Sequence, residues 1–154
     1  MKPFNQMPTT SSPQRGFSLL EVLIALAVFS FGLLGLAALQ TVSLRIGHDS
    51  YQRTQATMLA YDIVDRMRAN PTGLAAGKYN NIADNYNPGS TNCVSVSCTT
   101  DELADFDIRS WHTVIAEKLS QGKGTIGTSG STRTITVNWR ENDLPMQLQL
   151  VVQL

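Results

Sequence analysis

Arg15-Gly16-Phe17-Ser18-Leu19-Leu20-Glu21 opens an uncharged run from Val22 to Leu44. A basic residue, a glycine and then one acid five positions past that glycine stand at the head of an apolar helical pattern. The uncharged run is 23 residues long, enough to cross ~30 Å of hydrocarbon at ~1.5 Å per residue. Lys2 and Arg15 precede it, so the positive-inside bias places the N-terminus in the cytoplasm and everything after about Ser43 outside. No proline interrupts the stretch from Gln14 to Asn70. The helical pattern from Ser18 to Ala69 is 52 residues, or about 78 Å. An anchor whose second half lies under a head domain uses such a length; the core of one small domain does not.

Glu21 is the informative residue. A carboxylate at the bilayer centre costs on the order of 2.5–3.5 kcal/mol, and less near the end of a span. A position at headgroup level is one explanation. The other is an amine partner. Cleavage after Gly16 would free an α-amino group on Phe17, about one helical turn from Glu21. In a bundle of such helices the amine of one subunit would meet Glu21 of the next. Low dielectric strengthens that pair, and an unpaired buried carboxylate is penalised. The coincidence of the acid with the Gly-Phe junction favours the pair. Met1–Gln14 holds Pro3, Pro8, Pro13 and the polar run Thr9–Ser12, and reads as a disordered leader. It lacks the order of an ordinary secretory signal, in which the cleavage site follows the apolar segment. Gly32 and Gly35 share a helix face; ordinary tolerance of glycine in a membrane helix and close helix packing both account for them.

Beyond the apolar run the helix turns amphipathic. Val42, Ile46, Ala56, Leu59, Ala60, Ile63, Val64 and Met67 recur at threes and fours and read as a core stripe. Asp62, Asp65, Arg66 and Arg68 read as a solvated face. Asn70-Pro71 with Gly73 stops the helix. Thr72–Cys98 shows no period and reads as an irregular loop. Cys93 and Cys98 pinch its end; an oxidising compartment would favour their disulfide, worth ~2 kcal/mol for so short a ring and fixing the turn before the next element. Thr99 and Glu102 are spaced as a capping box. Leu103, Phe106, Trp111, Val114, Ile115 and Leu119 follow at helical intervals, and Gly122 ends the element. Arg133–Arg140 and Met146–Leu154 alternate apolar and polar residues and form an antiparallel hairpin through Glu141–Pro145, with Thr125–Gly127 a short edge strand. One sheet face is expected on the long helix and the other toward water. The fold class is α+β: a long N-terminal helix on a small antiparallel sheet, with one additional helix.

Composition narrows the function. Among 154 residues, twelve basic and twelve acidic side chains balance, so no basic field exists to hold nucleic acid. His48 and His112 belong to no metal-spaced motif, and C-x4-C lacks the two further ligands of a zinc site. No nucleophile, base and orienter are arranged for catalysis, and no phosphate loop occurs, so neither an enzyme nor a cofactor is expected.

Arg15-Gly16-Phe17-Ser18-Leu19-Leu20-Glu21-Val22-Leu23-Ile24-Ala25-Leu26 resembles the class III signal of type IV prepilins and type II secretion pseudopilins. That resemblance implies a prepilin peptidase that cuts between Gly16 and Phe17 and N-methylates Phe17, with Glu21 in subunit docking. Ala60-Tyr61-Asp62-Ile63-Val64-Asp65-Arg66-Met67-Arg68-Ala69-Asn70-Pro71 is similar to the helix end of PilV-type minor pilins, and Trp111 and Thr134–Arg140 match later landmarks of that group. Major pilins often kink the long helix with a proline, which this chain lacks. The resemblance implies a pilin-like fold in three parts: a cleaved leader over residues 1–16, a transmembrane and filament-core helix over 17–44, and a periplasmic head over 45–154. It implies a minor pilin that primes assembly or joins a tip complex. The implied partners are the major pilin, other minor pilins, a large tip adhesin and the inner membrane, with a surface fibre as the destination. The minor pseudopilin I of type II secretion is the alternative.

Overall fold

A computed structural model describes residues 16–154; the polar leader and Arg15 lie outside the described residues. Two compact units divide the chain, one through Leu44 and one from Arg45 to Leu154. A single helix, α1, runs from Leu19 to Ala69. It starts at the Gly-Phe junction, where Ser18 O accepts from Glu21 N at 3.0 Å and Val22 N at 3.2 Å.

In the first unit every described residue is exposed. Phe29 and Phe31 are 63% and 75% exposed, so the apolar part of α1 is uncovered among the described residues. It is long and apolar enough to cross a membrane.

The second unit has one core. α1 contributes Ala56, Leu59, Ala60, Ile63, Val64 and Met67. Val42 and Ile46, expected on this stripe, are exposed; the core begins a turn or more later because the polar stretch Arg45–Gln55 intervenes. The helix stops as expected: Asn70 leaves helical geometry at φ −118° and ψ 67°, the residue before proline being barred from it by the ring. The chain does not then become a featureless loop. Asn70 caps a short helix, α2 (Pro71–Ala75), its Oδ1 accepting from Gly73 N at 3.1 Å.

α3 covers Thr100–Lys118, with the capping box formed by Thr99 and Glu102. It ends at Lys118, with Leu119 as its cap, before Gly122. Ala104, Asp107, Ile108, Trp111 and Ile115 face the core, whereas Leu103 and Phe106 are only half-buried. The buried face is rotated toward Asp107, a residue that apolar periodicity cannot see.

The strands are β1 (Lys123–Ser129), β2 (Thr132–Glu141) and β3 (Leu144–Gln153), antiparallel in the order β1-β2-β3. β1 is longer than the expected Thr125–Gly127. Glu141 pairs with Leu144, so the hairpin turns on Asn142 and Asp143 alone, at φ 52° and 64°. Two left-handed residues match the right-handed twist of the strands, and Asn and Asp tolerate that region. Ile135, Val137 and Trp139 of β2 are buried. Gly124 of β1 must be glycine, since a Cβ there would lie 2.5 Å from the Trp111 ring.

Candidate functional site

Two groups of residues carry chemistry. The first lies at the start of α1, where Phe17, Glu21, Val22, Ala25, Leu26 and Phe29 line one shallow surface depression. Glu21 is in the first helical turn. The positive end of the helix dipole favours a carboxylate there by ~0.3–1 kcal/mol. Its side chain is exposed, with no hydrogen bond or ion pair to another described residue.

The second group is a buried polar node where α1, α2 and α3 meet. Asp107 is 6% exposed. Its Oδ2 accepts from Tyr79 Oη at 2.7 Å and its Oδ1 from Arg66 Nη1 at 3.4 Å. Asn70 Nδ2 donates to Tyr79 Oη at 3.2 Å and to Thr100 O at 2.8 Å. Arg66 Nε also donates to Asp62 Oδ2 at 2.9 Å. Burial raises the Tyr79 pKa and donation to Asp107 raises it further. Burial would lower that of Arg66, but the hydrogen bonds and charges of Asp62 and Asp107 outweigh it, and the pKa rises. Charge-assisted bonds to a satisfied carboxylate fasten the node, and a partial version would be worse than none. Arg66 and Asp62 are therefore structural rather than merely solvated. Tyr79 and Ile82, inside the stretch expected to be irregular, are core residues.

The rest of that stretch is tied to α3. Lys78 Nζ meets Asp101 Oδ2 at 2.6 Å, Tyr86 Oη donates to Asp105 Oδ1 at 3.0 Å, and Arg109 Nη2 donates to Thr91 O at 2.6 Å. Cys93 and Cys98 are bonded to each other, and the ring closes next to the Thr99 cap, the place where a fixed turn helps α3 begin. We expect Cys93→Ser with Cys98→Ser to lower head stability by ~2 kcal/mol. The check is urea unfolding of the full chain in detergent; an unchanged midpoint would leave the ring with no structural role. His112 donates from Nε2 to Gly124 O at 3.1 Å, and burial lowers its pKa. Among the described residues no group of three or more His, Cys, Asp or Glu is arranged to hold a metal.

The comparisons with known proteins fall on these two groups. Residues 11–37 match the family model described as the prokaryotic N-terminal methylation motif, and residues 38–109 match that described as type IV pilin Tt1218. Over residues 38–109 the chain is similar to type IV pilins. The first match contains Gly16, Phe17 and Glu21; the second contains Asp62, Arg66, Asn70, Tyr79 and Asp107. The sheet of this pilin-like chain lies outside both. No curated protein and no solved structure matches it. Its long helix, additional helix and three-stranded antiparallel sheet agree with a type IV pilin fold.

Proposed function

We propose that this chain is a minor pilin of the type IV pilus. Prepilin peptidase removes residues 1–16 between Gly16 and Phe17 and methylates the new Phe17 amine. The anchor over 17–44 then holds the chain in the inner membrane, with its N-terminus cytoplasmic and the 45–154 head periplasmic, and carries it into the fibre to prime assembly or build the tip with other minor pilins, the major pilin and a tip adhesin. One observation carries this reading: among the described residues the apolar part of α1 is uncovered and headed by a carboxylate without a partner, one turn from Phe17 and inside a methylation motif. The role is structural, without enzymatic activity. An unbroken α1 with no proline favours a minor over a major subunit. The minor pseudopilin I of type II secretion shares these N-terminal features, and neighbouring genes for a tip adhesin or for secretion components separate the two.

The direct test is the mass and N-terminal residue of the chain from membranes and from sheared fibres. N-methylphenylalanine at position 17 is expected, and a functional chain that keeps its leader overturns the reading. Glu21→Ala should leave the membrane level unchanged, because an exposed side chain with no partner among the described residues is removed. It should lower the fibre-associated fraction about tenfold or more, since it strands a buried amine at ~1–3 kcal/mol. Immunoblots of membrane and sheared fractions read both; unchanged incorporation removes the docking role.

A further inference from the structure

The two edges of the sheet are treated differently. In an antiparallel ladder the N–H and C=O of one residue point to the same side and alternate along the strand. On the outer edge of β1, Ile126 N donates to Ile82 O at 2.9 Å, Thr128 N donates to Asn81 Oδ1 at 3.1 Å, and Gly124 O accepts from His112 Nε2 at 3.1 Å. Every second residue of that edge is covered.

β3 has no such cover. Because Ile126 points its backbone away from β2, its partner Ile135 points toward β3 and bonds Leu150. Met146, Leu148, Leu150 and Val152 are thus committed to β2. Leu154 fits the same parity, its N–H reaching Ser131 O at 3.0 Å. Gln147, Gln149, Val151 and Gln153 turn their N–H and C=O outward, and no backbone bond to another described residue receives them. Natural edge strands are short, bulged or charged. β3 is ten residues long, pairs without a bulge and contains no Asp, Glu, Lys or Arg; only Pro145, at its start, blunts it. Its core-side row, Met146, Leu148, Leu150 and Val152, is only half-buried, so the core stays open along this edge.

We propose that the β3 edge accepts an extended strand donated by another subunit of the same assembly, apolar at alternate positions so that it continues the Met146–Val152 row. This rests on the pilus reading. A row of outward backbone groups is matched along its length by another strand, and the uncharged edge offers a charged strand no counter-charge. A lone strand pair buries less than the roughly 1,200 Å² of a stable protein interface, so two free copies would not hold together through β3. A segment already tethered in one assembly acts at an effective concentration of about millimolar, which offsets that deficit.

The test places a photo-crosslinking phenylalanine analogue at Gln147 of the full chain in pilus-forming cells, with Glu117 on exposed α3 as control. Ultraviolet light should give an adduct from Gln147 and none from Glu117, and mass spectrometry should map it to an extended segment of a different pilus subunit. Gln149→Pro deletes an outward N–H without touching the β2 ladder. It should cut the adduct at least about fivefold at an unchanged membrane level, the loss of one hydrogen bond plus steric blocking. If that variant lowers the membrane level, Gln149→Lys, which keeps the N–H and charges the edge, must give the same loss. Adducts only between copies of this chain, yields equal to the Glu117 control, or yields that survive the substitution each overturn the proposal. A chain that carries the analogue at Gln147 and is present in sheared fibres without the adduct defeats the edge alone; a chain never found in fibres defeats the pilus reading itself.

Discussion

Gly16→Val is expected to leave the chain in the membrane at full length, with its leader still attached. A Cβ built on Gly16 meets no atom within 4 Å, and the residue precedes α1 rather than belonging to it. The folded chain therefore has room for valine, and any loss of processing arises at the peptidase. Under the proposed processing, a β-branched side chain beside the scissile bond would crowd a cleft shaped for glycine. A displacement of the reacting carbonyl by ~1 Å costs about a hundredfold in rate. The processed form should fall from nearly all of the chain to a trace, read as an intact mass that retains residues 1–16. Fibre incorporation should fall with it, because Phe17 keeps its peptide bond and offers no amine to Glu21 of a neighbour. Gly16→Ala, with one methyl group and no branch, should be cut at an intermediate rate. Normal processing of the valine variant would show that the glycine is not what the peptidase reads.

Much of the fold is legible because its signals are local. Asn70-Pro71 ends α1 through a steric rule between adjacent residues, and Thr99 with Glu102 starts α3 through bonds three residues apart. Alternation in β2 marks Ile135, Val137 and Trp139 as the inner face. What stays hidden depends on partners distant in sequence. Tyr79 can be buried because Asp107, 28 positions later, accepts a hydrogen bond from its hydroxyl. Asp107 in turn rotates the buried face of α3 away from Leu103 and Phe106. Arg66 sits among charges that suit water, and only Asp107 across the helix pair distinguishes it. The hairpin turn is shorter than alternation suggests: Leu144 and Pro145 carry no alternation signal, while the left-handed Asn142 and Asp143 complete the turn alone. At the start of α1 the order is reversed. Glycine, phenylalanine and acid are readable in the sequence, because they lie within one short motif.

Trp111→Ala should be the most destabilising substitution in the head. Trp111 is fully buried and joins all three layers. Its ring lies on Gly124 of β1 and its Nε1–H donates to Leu59 O on α1 at 2.8 Å. With Arg66 on Asp107, this bond makes a second tie between α1 and α3, and Asn70, just past the end of α1, adds one on Thr100. The order of the ties shows the two helices to be antiparallel. Truncation removes the largest side chain of the core and leaves a cavity that Gly124 cannot fill, at a cost of ~3–5 kcal/mol. A domain of this size is stable by only about 5–15 kcal/mol, so the variant should sit near the threshold of folding. Trp139 remains as a fluorescent reporter, and denaturant unfolding of the full chain in detergent gives the midpoint. Trp111→Phe keeps most of the volume and loses the bond, and about 1–2 kcal/mol is expected. A shift below about 1 kcal/mol for alanine would mean that α1 holds the sheet without α3. The difference between alanine and phenylalanine separates the cost of the cavity from that of the tie to Leu59. A large difference means that lost volume outweighs the lost hydrogen bond, as expected for an indole buried in the core that α1, α3 and the sheet share.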